Sequence, residues 1–370
     1  MMEIAVADGA QLDAAIEVLP NNPAVFVLWP KEGTPYLSKT GLLRRRLLRL
    51  LKEREKPSRL LNLRHTVARI EYQFTGSTLE SVLLHYALAR RHFPQTYLEL
   101  LKLRMPSYVK ILLNNAFPRS QIATQLSRTP SLYFGPFRSR ASAERFEGQF
   151  LDLFQMRRCQ EDLLPSPEHP GCIYGEMGMC LRPCQEVVGP AEYGHEIERV
   201  LEFLRTDGHS LIDSISRSRD RLSEEMQFED AARQHKRFEK VQEVLKLRDD
   251  MACDVDRLHG VAIAPSVAPD AVDLWLVHAG HLQPAQRFSF EVAEGKPVSL
   301  DRKLREMFSA LEPRVLPIRE RQECLALLAR WNYSTWRDGE FVSFESFADA
   351  PYRKLVNAVS RVARHPGGPT

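Results

Sequence analysis

The chain has 370 residues, 44 % of them hydrophobic, and 51 lysines and arginines against 48 aspartates and glutamates, for a formal net charge of +3. That composition is ordinary for globular protein and leaves room for two or three modest domains with sizeable cores. No apolar run reaches the roughly 18 residues of a membrane span, and MMEIAVADGA has no basic stretch leading into an apolar one, so the expectation is a cytoplasmic protein with no membrane association.

In chain order, Gln11 to Leu19 reads as a short amphipathic helix ending before Pro20. Two brief apolar strands follow, Ala24 to Trp29 and Pro35 to Leu37, around the turn Lys31-Glu32-Gly33. Charge is unevenly spread after them: between Gly41 and Ile70 ten Lys or Arg stand against Glu53 and Glu55. The helix predicted from Leu42 to Leu51 interleaves six leucines with Arg44, Arg45, Arg46 and Arg49, giving one apolar and one cationic face. A cationic face of this kind is either a solvated surface or a phosphate-backbone contact, since guanidinium forks match phosphate oxygens and release counterions. A further helix is predicted from Thr78 to His92.

Pro106 to Ile111 has a strand's alternation, and Tyr108 and Lys110 there either pack a sheet edge or touch a nucleic-acid strand. After Tyr133-Phe134-Gly135-Pro136-Phe137, a helix from Ala141 to Phe154 sets Phe146, Phe150, Leu151 and Phe154 on one side, a core face. Four of the six cysteines come next: Cys159, Cys172, Cys180 and Cys184, separated by 12, 7 and 3 residues. Prolines and glycines crowd the intervals, so the segment buries little apolar surface and needs an inorganic centre to fix its shape. Four thiolates hold either a structural zinc or a [4Fe-4S] cluster, and the long first gap with Pro183 beside the last cysteine leans towards the cluster. Two disulfides or free buried thiols are the alternatives, and nothing points to an oxidising compartment. Arg157 and Arg158 lead into Cys159, placed to screen a thiolate centre or to meet DNA.

Helices are expected over Ala191 to Arg205, Ser210 to Met226 and Phe228 to Asp250, the last with charge pairs Glu229 with Arg233 and Glu243 with Lys246 and a narrow apolar seam that wants a partner. Beyond residue 253, Val272, Leu274 and Leu276 and then Phe288, Phe290 and Val292 alternate around Gly280 as a β-hairpin. Helices near Arg302 to Leu311, Arg321 to Trp331 and Tyr352 to Arg364, with a strand at Arg314 to Ile318, complete a small α+β unit. Cys253 and Cys324 are isolated packing residues, and the tail HPGGPT from His365 is expected to be disordered.

The string YFGPF, the helix after it and the four cysteines at this spacing resemble the excinuclease subunit UvrC and its shorter relatives of the Cho type, from about Leu12 to about Trp331. The resemblance implies an iron-sulfur cluster on Cys159, Cys172, Cys180 and Cys184. It also implies a GIY-YIG nuclease fold for the N-terminal hundred residues. Ala24-Val25-Phe26 falls on the first namesake triplet and Tyr36-Leu37-Ser38 on the second, while Lys39 and Arg46 fall where the family keeps lysine and its catalytic arginine. That chemistry uses a phenol, an arginine on the phosphate and a carboxylate for a divalent metal. Here Phe26 lacks the hydroxyl, Ser38 replaces a glycine, His85 follows Leu83-Leu84 where the family has its metal-binding glutamate, and Tyr97 replaces an asparagine. Imidazole is a poor partner for Mg²⁺, and Glu80 lies about 140° around the helix from His85, so neither residue restores the site.

Met226-Gln227-Phe228-Glu229-Asp230-Ala231-Ala232-Arg233 resembles the UVR motif, the helical hairpin by which UvrC meets UvrB. Phe228 would be the aromatic anchor, with Ala231 and Ala232 allowing close approach; an intramolecular coiled coil is the alternative reading. The expected fold class is α+β: a small GIY-YIG-like mixed α/β domain with a degenerate site over 1–100, a YFGPF and four-cysteine region over 101–190, a helical UVR-type segment over 191–252 and a C-terminal α+β unit over 253–370. The expected function is DNA binding in nucleotide excision repair, with a UvrB-like protein as partner and without normal incision. In that reading Tyr36 and Arg46 are a remnant catalytic pair, and Lys39, Arg44, Arg45 and Arg49 contact DNA. An active Cho-like, structure-selective endonuclease using His85 and Mn²⁺ is the second reading, and a redox-responsive binding module the third.

Overall fold

The computed structural model describes residues 1–5, 9–52, 61–290 and 299–364; Val292 and the HPGGPT tail lie outside the described residues. The chain is a mixed α+β protein built on three antiparallel sheets.

The first sheet has the order β1-β4-β2-β3 and comprises β1 (Met2–Ala5), β2 (Ala24–Pro30), β3 (Tyr36–Thr40) and β4 (Val67–Phe74). Strand β2 is central, and its run of apolar residues serves both faces. Ala24, Phe26 and Leu28 meet α1 (Gly9–Glu17) and α2 (Leu43–Leu51) through Leu12, Ile16, Leu43 and Leu47. Val25 and Val27 meet α3 (Thr78–His92) through Leu79, Val82 and Tyr86. Helix α3 starts where expected because Ser77 accepts a hydrogen bond from the Glu80 N–H, the usual remedy for unpaired donors at a helix start. A short α4 (Tyr97–Leu101) follows.

The second sheet, in the order β6-β5-β7-β8, contains β5 (Ser107–Leu112), β6 (Arg119–Ala123), β7 (Ser131–Phe137) and β8 (Cys253–Asp254). YFGPF is the inner part of β7. Phe134 and Phe137 turn into an aromatic core with Phe146 and Phe150 of α5 (Arg140–Leu151) and Phe203 of α7 (Pro190–Arg205). Gly135 is required there, since a Cβ would stand 2.7 Å from the Tyr108 ring. Between α5 and α7 lies the cysteine segment, with a single-turn α6 (Ile173–Glu176). Strand β5 sits between β6 and β7, so Tyr108 is fully buried and Lys110 nearly so, its ammonium donating to Ser127 over the Tyr133 ring. Neither side chain is placed to touch nucleic acid, and the edge position that the sequence suggested is a central one.

Helices α8 (His209–Glu224) and α9 (Phe228–Lys246) form the hairpin, reversed at Met226, whose φ of 59° is left-handed. On α9, Arg233 pairs with Asp230 at 2.8 Å, not with Glu229 as the four-residue spacing suggested; the three-residue spacing puts the shorter carboxylate within reach. The buried seam of α9 is narrow, Val241 and Val244.

The third sheet has β9 (His259–Pro265), β10 (Ala271–His278), β11 (His281–Leu282), β12 (Gln286–Ser289) and β13 (Glu340–Phe344), with the path β11-β10-β9-β13 and β12 paired to β10. One face packs on α10 (Leu300–Ser309) and α12 (Tyr352–Arg364). The other face packs on α11 (Ile318–Asn332), whose Leu325, Leu328 and Trp331 share one continuous core with α3, Val25 and Val27 of the first sheet. The strand expected at Arg314 to Ile318 is instead irregular. Its backbone donors go to side chains, Arg314 N–H to Gln283 Oε1 at 2.7 Å and Leu316 N–H to His281 Nδ1 at 3.0 Å, and Pro313 and Pro317 offer no ladder donor at all.

Candidate nucleic-acid interface and cysteine centre

The pocket expected around Tyr36 and Arg46 begins with the edge strand β3 and the helix after it. Tyr36 accepts a hydrogen bond from Arg46 at 3.1 Å, so the expected pair is assembled. Behind it Phe26 is wholly buried with its ring 6.2 Å from Tyr36, a packing residue where the triplet would have carried a hydroxyl. The Ser38 hydroxyl turns to its neighbour's carbonyl. Among the described residues, no ion pair joins Arg46 to a carboxylate.

His85 stands on α3, across the sheet from α2. Its Nε2 is buried without a hydrogen-bond partner, and its pKa falls to about 4, first through burial and then through the nearby charge of Lys39. At neutral pH the imidazole is therefore uncharged. Glu80 faces away, as the helical angle requires: its carboxylate accepts from the Gly76 N–H at 2.7 Å and lies near Asp273 and Arg287 of the third sheet. Burial raises its pKa, with the Gly76 hydrogen bond opposing. Tyr97 donates to Glu323 Oε1 at 2.7 Å, joined by Tyr86 on Oε2 at 2.7 Å and by Arg319 at 3.0 Å. Tyr97 on α4 and Tyr86 on α3 thus both dock on Glu323 of α11.

The cationic face of α2 is as the leucine spacing predicts. Leu43, Leu47, Leu50 and Leu51 are buried, and Arg44, Arg45 and Arg49 are exposed beside one another. Arg44 touches only a carbonyl of α1, Glu17 O at 3.3 Å, among its described hydrogen bonds. Lys39 is exposed on the edge strand, its ammonium 5.9 Å from the Trp336 ring. Arg330 and Trp336 come from the C-terminal unit, and sequence reasoning missed both. An exposed arginine ending a helix and a lone tryptophan carry no signal of which distant strand they will meet.

The four cysteines are free thiols: Cys172 exposed, Cys159 partly covered, Cys180 and Cys184 buried. Burial pushes the Cys180 thiol up to about 11, the Arg182 N–H on its sulfur at 3.4 Å opposes, and Cys159, Cys172 and Cys184 all add to the rise. The four sulfurs are thus within one another's electrostatic reach. Among the described residues, no three His, Cys, Asp or Glu side chains stand close enough to hold a metal ion as placed. The segment turns tightly, with Gly171, Gly178, Arg182 and Glu186 all left-handed. Arg157 is buried, with Nη1 3.3 Å from Cys159 Sγ and Nε on Phe117 O, while Nη2 has no partner. Of the two roles open to it, this placement fits screening of thiolate charge and rules out contact with DNA. Arg158 pairs with Asp152 at 2.8 Å and stacks over Tyr174. The four thiols are the right donor type for a thiolate-ligated centre, with a guanidinium and a backbone N–H already on sulfur, but as placed they are not assembled around one point.

At the hairpin tip Met226 is 77 % and Phe228 67 % exposed, while Ala231 is half-buried and Ala232 exposed. Cys253 and Cys324 lie apart from this set, each with burial raising its thiol pKa.

Residues 107–203 match the family described as the UvrC/Cho excinuclease middle domain. Over longer stretches the chain is 27 % identical to the UvrABC system protein C of Lachnospira eligens (77 % of this chain, 47 % of that protein) and 28 % identical to that of Moorella thermoacetica (68 % and 41 %). Identity to the Dehalococcoides mccartyi protein of the same name is 24 %, over 95 % of this chain and 59 % of that one. These findings support a UvrC-like family for the chain, which spans about half the length of the curated relatives it matches. No solved structure matches.

Proposed function

We propose that this chain is a UvrC-like DNA-binding protein of nucleotide excision repair that docks on a UvrB-like partner and lacks normal GIY-YIG incision chemistry. The observation that carries the repair assignment is the match of residues 107–203, which contain YFGPF and all four clustered cysteines. The exposed arginines of α2 support phosphate contact, because guanidinium forks match phosphate oxygens and release bound counterions on meeting DNA. Loss of incision is supported by the buried, uncharged His85: a divalent ion wants oxygen donors, and among the described residues no ion pair brings a carboxylate to Arg46.

Cys159, Cys172, Cys180 and Cys184 would hold the metal centre, a [4Fe-4S] cluster in this reading and zinc as the alternative. When bound, it would fix the 159–184 loop and supply a redox-active group. Arg157 would then balance part of its negative charge. Phe228 and its neighbours Ala231 and Ala232 present the surface expected to meet the partner hairpin.

Two measurements test the proposal. Anaerobically purified protein should carry iron and sulfide, with broad visible absorption that is lost on Cys184→Ser; colourless protein with one zinc per chain would replace the cluster by zinc. In a fluorescence anisotropy titration, Arg44→Ala/Arg45→Ala/Arg49→Ala should weaken duplex binding at least about tenfold and flatten its salt dependence. Unchanged binding would remove α2 from the interface.

A further inference from the structure

The seam between the first sheet and the C-terminal unit holds a feature that excision repair does not require. Strand β3 brings Lys39 and the segment after α11 brings Trp336 to one place on the surface, and Arg330 at the end of α11 is near enough for its charge to act on Lys39. Trp336 is 39 % exposed, unusual for the largest apolar side chain, and Lys39 stands over its ring.

The position of Trp336 is fixed from both sides. Its carbonyl accepts from Thr78 Oγ1, and two residues on, Asp338 accepts from the Thr78 N–H, from Thr78 Oγ1 at 2.7 Å and from Trp331 Nε1 at 3.1 Å. Asp338 is thereby fully engaged with neutral donors. Crowding and then the Arg330 guanidinium hold the Lys39 pKa below the ordinary lysine range, and no carboxylate figures among the charges acting on either Lys39 or His85. Cations set together without an acid repel one another until an anion arrives. Beside them the buried Nε2 of His85 lacks any partner within the protein.

We infer that Lys39, Arg330 and Trp336 form a composite site, built partly from each unit, for one nucleotide of a single-stranded nucleic acid, with the phosphate between the two cations and the base on the indole. An exposed aromatic face flanked by cations is the arrangement that holds unpaired nucleotides without sequence preference, since every base has a π-face and every phosphate a charge. A paired base cannot reach the indole. The inference rests on the nucleic-acid reading proposed above but concerns a different surface from α2. It takes the ligand directly on side-chain cations, so divalent metal plays no part.

The test is anisotropy of a short labelled oligothymidylate and of a blunt duplex, in EDTA, with the full chain. Trp336→Ala and Arg330→Gln should each weaken single-strand binding about tenfold and leave duplex binding within about twofold. Trp336→Phe, which keeps a stacking face, should stay within about threefold of the parent, and unchanged thermal melts would confirm folding. If Trp336→Ala and Arg330→Gln bind the single strand like the parent while the α2 triple variant loses duplex affinity, the inference is overturned and the broader reading stands. If the parent chain binds neither nucleic acid, both fall.

Discussion

His85 concentrates the change of chemistry in one side chain. Burial and the charge of Lys39 keep its folded pKa near 4, against 6.5 for a free imidazole. As pH falls below about 6.5 the unfolded chain takes up a proton that the folded chain refuses until about 4, so the residue subtracts stability across that window and nothing above it. His259 and His281 are also lowered by burial and act in the same direction. Comparing His85→Gln with the parent by urea titration at pH 5 and pH 7.5 isolates the contribution, and the variant should lose less stability on acidification. An equal loss in both proteins would place His85 in contact with solvent. Glu323 is the second such residue. Its carboxylate, 2 % exposed, carries the hydroxyls of Tyr86 and Tyr97 and the Arg319 guanidinium. Glu323→Ala takes the acceptor from the O–H donors of Tyr86 and Tyr97 and should cost about 3 kcal/mol in the same titration; a cost under about 0.5 kcal/mol would mean the hydroxyls find water.

At the scale of elements, periodicity was legible wherever one face packs against the chain's own neighbours. The Thr78 to His92 helix has the bounds expected of it, with Ser77 capping its start, and the leucine ladder of α2 separated its buried and cationic faces. Elements set by distant partners were not legible. Strand β13 was missed because its five residues acquire meaning only beside β9, and the Arg314 to Ile318 stretch has a strand's composition but gives its backbone to Gln283 and His281. The hairpin of α8 and α9 sits between these cases. Its helices were evident, while the use of its exposed tip is a matter of partners. Phe228→Ala removes a large apolar side chain that the fold leaves in solvent, so it should leave the melting temperature within about 1 °C and weaken binding to a UvrB homologue about tenfold or more. Unchanged affinity in a calorimetric titration would dismiss the tip as a docking site.

For the whole molecule, the docking of α11 on α3 matters most. Helix α3 shares a core with the C-terminal unit, through Leu79, Val82 and Tyr86 on one side and Leu325, Leu328 and Trp331 on the other. The approach is close: a Cβ on Gly76, just before α3, would stand 2.2 Å from the backbone of Ser266. Four departures from the nuclease pattern could be read from residues alone. That Tyr97 binds Glu323, or that Trp336 reaches Lys39, could not, because these contacts join positions more than two hundred residues apart. The commitment of α3 to this seam is what the proposal that binding persists without cutting leans on at this scale.

The most direct test is a nicking assay on damaged and undamaged duplex DNA, with the purified full chain and Mg²⁺ or Mn²⁺. The account predicts DNA binding without metal-dependent strand cleavage, and no difference in cleavage between the parent chain and Arg46→Ala. Robust cleavage by the parent chain that disappears in Arg46→Ala would contradict it.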